Sequence, residues 1–206
     1  MTYSILVAGV GGQGILLSSD LISICAMEAG YDVKKSEVHG MAQRGGAVVS
    51  CVRFGEKVYS PLITHGEADF ILSFEKLEAL RWAEYIKDGG IFIVNNFEFP
   101  TLAMNIGDEE YPEKIEEKLK KFGEVYIIDG LSLARKAGDP RVTNVVLCGA
   151  LAFMMKEKGI DLGDENWQKA IEKRVPKKYL EINKSAFKMG FDAMKEIYEE
   201  SQKEGG

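Results

Sequence analysis

Two hydrophobic periodicities alternate along this chain. Residues 3–8 form an unbroken apolar run that ends in glycine, the pattern of a strand buried on both faces. Residues 13–29 then place Ile15, Leu16, Ile22, Ala26 and Met27 at helical spacing, with Gly30 as the stop. A second strand is predicted from Asp32 to Val38, and an irregular glycine-rich stretch fills 39–46. Ala47–Phe54 and Lys57–Tyr59 flank Gly55-Glu56, which predicts a hairpin and therefore a mixed sheet. Further strands are expected at Asp69–Phe74, Ile91–Val94 and Val125–Asp129, with helices at Glu75–Ile86, from Pro112 to Lys121 and at Leu131–Ala137. From Asn144 the pattern is helical throughout, over 144–158, 165–173 and 177–201, and Gly205-Gly206 ends a frayed acidic tail.

Strand–helix alternation of this kind predicts a Rossmann-like, three-layer α/β fold. Its sheet is mixed but mostly parallel, its C-terminal region is helical, and ligands sit at the carboxyl ends of the strands. A length of 206 residues with 46% apolar composition suits one domain, with a core over 1–143 and a helical part over 144–206. The net charge is −6 and the basic residues are dispersed, which argues against nucleic acid as a partner. The N-terminus has no basic leader, and no apolar run approaches the roughly 20 residues that span a bilayer. A cytoplasmic protein that does not engage membranes is expected.

Cys25, Cys51 and Cys148 are widely spaced and read as small buried apolar residues. His39 and His65 are too far apart to suggest a metal pair, and no metal site is expected. Ser73 is the expected N-cap of the helix that follows it, and Thr143 a possible cap of the helix after Pro140. Arg141 and Asn144 lie at that same helix start, where a ligand contact is possible. Glu165-Asn166-Trp167 and Lys177-Lys178-Tyr179 read as solvated helix surface with aromatic anchors.

The clearest local motif is Gly9-Val10-Gly11-Gly12-Gln13-Gly14, between the first strand and the first helix. Glycine at these positions permits a tight turn and close approach of a ligand, and the helix start aims free N–H groups at an anion. A dinucleotide site needs an acidic residue about 20 positions on, at the end of the second strand. Asp32 stands at the start of that strand and Glu37 comes late, while Gly12 and Gln13 depart from the usual fingerprint. A phosphate-bearing ligand and a turn that serves packing alone both remain open.

The second glycine segment, His39-Gly40-Met41-Ala42-Gln43-Arg44-Gly45-Gly46, combines a cation, an amide and an imidazole with exposed backbone donors. Its pairing with the first motif resembles the gamma subunit or domain of 2-oxoacid:ferredoxin oxidoreductases. The likeness continues through Asp69-Phe70-Ile71-Leu72 and Glu75-Lys76-Leu77-Glu78-Ala79-Leu80 and matches the length of the chain. The second motif is most similar to that of the small (beta) subunits of the indolepyruvate-type members.

The resemblance implies a subunit that is inactive alone, in a hetero-oligomer of anaerobic metabolism. An arylpyruvate and coenzyme A are converted to an aryl-acetyl-CoA and CO2, and ferredoxin is reduced. Thiamine diphosphate and 4Fe-4S clusters belong to a large partner subunit, coenzyme A is the co-substrate, and this chain supplies no catalytic residue. The absence of a Gly-Asp-Gly ahead of Asn95-Asn96, and of clustered cysteines, agrees with that division. Gly9, Gly11, Gly12, Gln13 and Gly14, with His39, Gln43, Arg44, Gly45 and Gly46, are the expected cofactor or interface contacts. The alternatives are a gamma subunit acting on another 2-oxoacid and a free-standing Rossmann-like nucleotide-binding protein.

Overall fold

The computed structural model describes residues 1–39, 46–105, 107 and 109–204. Its elements are β1 (Thr2–Val10), α1 (Ile15–Glu28), β2 (Asp32–His39), β3 (Ala47–Gly55), β4 (Ala68–Ser73), α2 (Lys76–Arg81) and β5 (Ile86–Asn95). They continue with α3 (Leu102–Asn105), α4 (Ile115–Leu119), β6 (Glu124–Ile128), α5 (Gly130–Ala137), α6 (Thr143–Glu157), α7 (Asp164–Arg174) and α8 (Leu180–Glu204). The six strands lie in the order β2-β3-β1-β4-β5-β6.

Alternation along each strand divides the core into two layers. In β1, Ile5 and Val7 join a large apolar cluster with α1, α5, α6, α7 and α8, while Leu6 and Ala8 face a smaller one with Ala79 of α2 and Ile115 and Leu119 of α4. Ile91 and Ile93 of β5 repeat the first choice, and Phe92 and Val94 the second. Burial on both faces is why the central strands read as continuous apolar runs. The three-layer architecture and the mixed, mostly parallel sheet follow.

The antiparallel element is not the expected hairpin. β3 pairs antiparallel with both β2 and β1, whereas β1, β4, β5 and β6 are mutually parallel. Residues 57–59 lie outside the sheet, with the Val58 amide donating to Asp32 at 2.9 Å. Gly55 is there for space rather than for a turn: a Cβ on it would sit 2.3 Å from the Met1 carbonyl oxygen. Reversal of β3 leaves β2 parallel to β1, so the carboxyl ends of β2, β1, β4, β5 and β6 share one rim.

Three local expectations change as well. The buried face of α1 includes Ile15, Ile22 and Ala26 as expected and adds Ser18, Ser19, Leu21, Ser23 and Cys25, while Leu16 and Met27 are exposed. Its serines find carbonyl acceptors, Ser23 Oγ donating to Ser19 O at 2.7 Å within the helix and Ser18 Oγ to Asn144 O at 3.2 Å at the start of α6. Their small size admits close neighbours, so hydroxyl-bearing positions share the buried face with the apolar stripe. Ser73 ends β4 and donates to the Glu75 carbonyl, and the cap of α2 is Glu75, whose carboxylate accepts from Glu78 N at 2.8 Å. The cap of α6 is Val142; Thr143 is already in the helix and its hydroxyl donates to Pro140 O at 2.7 Å.

Against the sheet, α6 is buried from Asn144 to Met155 and crosses α8 at two glycines. A Cβ on Gly149 would meet Phe187 O at 2.0 Å, and one on Gly190 would meet Val146 O at 1.8 Å. The two backbones touch. No helix among the described residues is long and apolar enough to cross a membrane. The Gly205-Gly206 tail lies outside the described residues.

Candidate functional site: a donor-lined cleft at the carboxyl rim

The glycine turn is held by its own side chain. Gln13 N–H donates to Val10 O at 3.1 Å, and Gln13 Oε1 accepts from Val10 N–H at 2.7 Å, folding the amide back over the turn. Gly12 and Gly14 take φ of 101° and 89°, a region that suits glycine and strains other residues. Gly9 is tight rather than twisted: a Cβ there would meet Gln13 Oε1 at 2.7 Å and Phe74 Cβ at 2.8 Å.

The two glycine segments are neighbours. Gly11 N–H donates to Gly46 O at 2.9 Å, and β3 brings Ala47 opposite Val10 and Val48 opposite His39. The backbone of His39 closes β2 at this rim. Gln43, Arg44 and Gly45, together with Gly40, Met41 and Ala42, lie outside the described residues.

Beside the turn, where β1, β4 and β5 end, a cleft of about 320 Å³ opens. Gly12, Gln13 and Gly14 form one wall; Arg141, Thr143 and Asn144 from the start of α6 form another; Phe74, Phe97 and Leu131 supply the apolar surface. Asn95 is 4% exposed and fully engaged, donating to Phe74 O at 3.2 Å and accepting from Gly130 N at 3.0 Å. Asn144, 5% exposed, accepts from Val145 N–H at 2.9 Å, and its Nδ2 has no hydrogen-bond partner among the described residues. The same holds for Gln13 Nε2.

Among the described residues no carboxylate side chain lines this cleft. Its polar groups are mainly donors: the amide nitrogens of Gln13 and Asn144, the Arg141 guanidinium, which is paired with Asp139, and the start of a 15-residue helix. Donors of this kind favour a ligand rich in acceptors, with anionic character at the Arg141 end. Asp139 fixes that guanidinium, accepting from its Nε at 2.9 and 3.0 Å, and the pairing holds the Asp139 carboxyl below the usual carboxylate range.

A buried carboxylate supports the floor from behind. Glu75, 1% exposed, accepts from Phe99 N–H at 3.1 Å and from the Tyr111 hydroxyl, tying the segment after β5 to α2. Desolvation, reinforced by that hydrogen bond, pushes the Tyr111 phenol far up. Glu78, also buried, pairs with Arg81 at 2.6 Å, yet one of its oxygens has no partner and burial raises its pKa.

The cysteines do not fit a cluster. Cys25 and Cys148 are buried in the core beneath α1 and α6, their thiols pushed up by desolvation, Cys148 to about 12. Cys51 is half-buried in β3. Among the described residues no group of three His, Cys, Asp or Glu is placed to hold a metal ion.

Sequence reading singled out the turn and noted Arg141 and Asn144; it missed Phe74, Asn95, Phe97 and Leu131. Position alone could have found Phe74 and Asn95, since each stands where a parallel strand ends.

This fold is shared by solved subunits of oxoacid oxidoreductases. The gamma subunit of a keto/oxoacid ferredoxin oxidoreductase from Geobacter sulfurreducens superposes with a TM-score of 0.69 at 24% identity, covering 94% of this chain and 99% of that one. A 2-oxoglutarate:ferredoxin oxidoreductase from Magnetococcus marinus superposes with a TM-score of 0.73 at 22% identity, covering 95% of this chain and 31% of the larger one. The family model for pyruvate ferredoxin/flavodoxin oxidoreductase matches residues 4–193, and the chain belongs to that family. It is 42% identical over 201 residues to the indolepyruvate oxidoreductase subunit IorB of Thermococcus kodakarensis, across 95% of this chain and 97% of the relative.

Proposed function

We propose that this chain is the small subunit of an indolepyruvate-type, arylpyruvate-consuming 2-oxoacid:ferredoxin oxidoreductase, working in the cytoplasm of an anaerobically metabolising cell. The observation that carries the reading is the lining of the rim cleft by Gln13, Asn144 and Arg141, in a chain so similar to indolepyruvate oxidoreductase small subunits. The rim packs against a large partner subunit, which holds thiamine diphosphate and the iron–sulfur clusters, and ferredoxin collects electrons from the complex.

When bound in the partner, thiamine diphosphate supplies the carbanion-stabilising chemistry of decarboxylation. This chain's part is to bind and to exclude water. Gly12, Gly14, Gln13 and Asn144 offer N–H donors to the acceptor-rich body of coenzyme A, and Arg141 offers charge to its anionic end. His39, Gln43, Arg44, Gly45 and Gly46, the second glycine segment, are proposed as further cofactor or partner contacts. The exposed side chains of Leu16, Val38 and Phe99 on this rim give the interface apolar area.

Affinity-tagged chain recovered anaerobically from its native host, followed by mass spectrometry of what co-elutes, tests the reading. A large iron-containing thiamine diphosphate subunit at fixed stoichiometry, with arylpyruvate-dependent ferredoxin reduction, is the expected result. Recovery of the chain alone, under conditions in which known complexes survive, overturns it. In the complex, Asn144→Asp keeps the shape and replaces a donor by a charged acceptor; KM for coenzyme A should rise about tenfold.

A further inference from the structure

The chain that leaves β5 is a wall with a hollow on each side. Its residues alternate along the carboxyl rim: Asn95 and Phe97 line the donor-lined cleft, while Val94, Asn96 and Glu98 line a larger hollow of about 620 Å³ on the opposite side. A partition one chain thick has no packing layer of its own. Its position is set by its anchors.

Most of those anchors lead to the start of α2. Phe97 O accepts from Lys76 N–H at 3.0 Å, and Phe99 N–H donates to Glu75 Oε1 at 3.1 Å. The Phe97 and Phe99 rings stack with centroids 6.4 Å apart, so holding the second steadies the first. Tyr111, a wall of the larger hollow, donates its hydroxyl to the same Oε1. The other carboxylate oxygen of Glu75 accepts from Glu78 N–H at 2.8 Å and caps α2. Asn96 N–H, donating to Ile128 O at 2.8 Å, ties the partition to β6 as well.

Glu75 is 1% exposed, and the three donors to its carboxylate are all neutral. Burying a carboxylate without a cation is costly, and capping a helix does not require it, since Ser, Thr, Asp or Asn caps with a shorter reach. The length of glutamate is what lets one carboxylate serve the cap and the partition together.

We propose that Glu75 is a positioning residue for the donor-lined cleft. It lines neither hollow; it holds the partition from behind, and with it the face that Phe97 presents to the ligand. Tyr111 acts on the cleft through Glu75, from the opposite side of the partition. That the ligand is coenzyme A rests on the proposed function; the hydrogen bonds that meet at Glu75 do not.

The test varies coenzyme A in the complex with the large partner and follows amide hydrogen exchange in the purified chain. Glu75→Asp keeps a carboxylate at the cap but is one methylene too short for Phe99 and Tyr111. KM for coenzyme A should rise about tenfold, with kcat within about twofold of the parent. The Phe99 amide should exchange at least about tenfold faster, while the Glu78 amide keeps its protection. Tyr111→Phe should raise the same KM about threefold, although Tyr111 does not line the cleft. Glu98→Gln gives up the exposed ion pair with Lys76 on the same segment and should leave KM unchanged. Should Glu75→Asp fail to fold, Tyr111→Phe still decides. A lower melting temperature with KM unchanged in both variants would make Glu75 structural only and overturn the proposal. So would an equal rise in KM in Glu98→Gln, or unaltered exchange at Phe99. A tagged chain that recovers no partner removes the proposed function and leaves exchange at Phe99 to decide the role of Glu75, so the two readings fail separately.

Discussion

Helix α6 meets the rest of the protein through glycine at two places, and the two contacts differ in kind. At its first turn, Asn144 packs on Gly14, whose φ of 89° belongs to a turn. At its middle, Gly149 and Gly190 carry ordinary helical backbone and simply leave room for α8. The first is a demand for conformation with a side chain as neighbour, and the second is a demand for space with backbone as neighbour. A side chain can rotate away from an added methyl; a helix carbonyl moves only if the helix does.

Substitutions should separate the two demands. Gly190→Ala puts a Cβ 1.8 Å from Val146 O, so α6 and α8 must part, and we expect a loss of about 3 kcal/mol or more in urea unfolding. A loss below about 1 kcal/mol would show that the crossing is not close-packed. Gly14→Ala should cost less, about 2 kcal/mol, because strain at positive φ adds to a clash with the Asn144 amide at 2.4 Å. A double-mutant cycle with Asn144→Ala should recover the steric part alone; strict additivity would mean that the clash contributes nothing. Gly12→Ala has the strain, at φ 101°, and open space, so about 1 kcal/mol is expected, with no dependence on neighbouring substitutions.

The smallest effect is a pH dependence confined to the rim. Burial raises the Glu78 pKa, so the folded chain holds that proton more tightly than the unfolded one. The associated stability is present below the ordinary carboxylate range and is lost as pH rises through the elevated value. Glu78→Gln should flatten that decline, whereas Gly190→Ala should lower the whole profile without changing its slope. Melting temperatures across the acid-to-neutral range would check both, and an unchanged slope in Glu78→Gln would remove Glu78 as its source.

Much of the fold was legible because its signals are local. Predominantly apolar runs at 3–8, 69–74 and 91–94 marked strands, and Gly30 marked the end of a helix. Gly55-Glu56 misled because a glycine required for clearance from Met1 looks, in sequence, like one required for a turn. The serine face of α1 was invisible for a related reason: its hydroxyls are satisfied within the helix and by Asn144 O, a partner 126 residues away from Ser18. In the site, the turn and the start of α6 were readable as motifs. The cleft between them was not, since Phe74, Asn95 and Leu131 become neighbours only once β4 and β5 have paired.

Strand β3 carries a consequence of another sort. Its alternation places Val48, Val52 and Phe54 in one core layer and Val49 in the other, so a slip of one residue would exchange the layers. The same slip would remove Gly46 O from Gly11 N–H, the hydrogen bond that joins the two glycine segments. Correct pairing of an interior strand and correct assembly of the rim are therefore one event. A chain that mispairs here arrives with its carboxyl rim unfinished, so the folding of the sheet and the shaping of the rim are checked by the same contact.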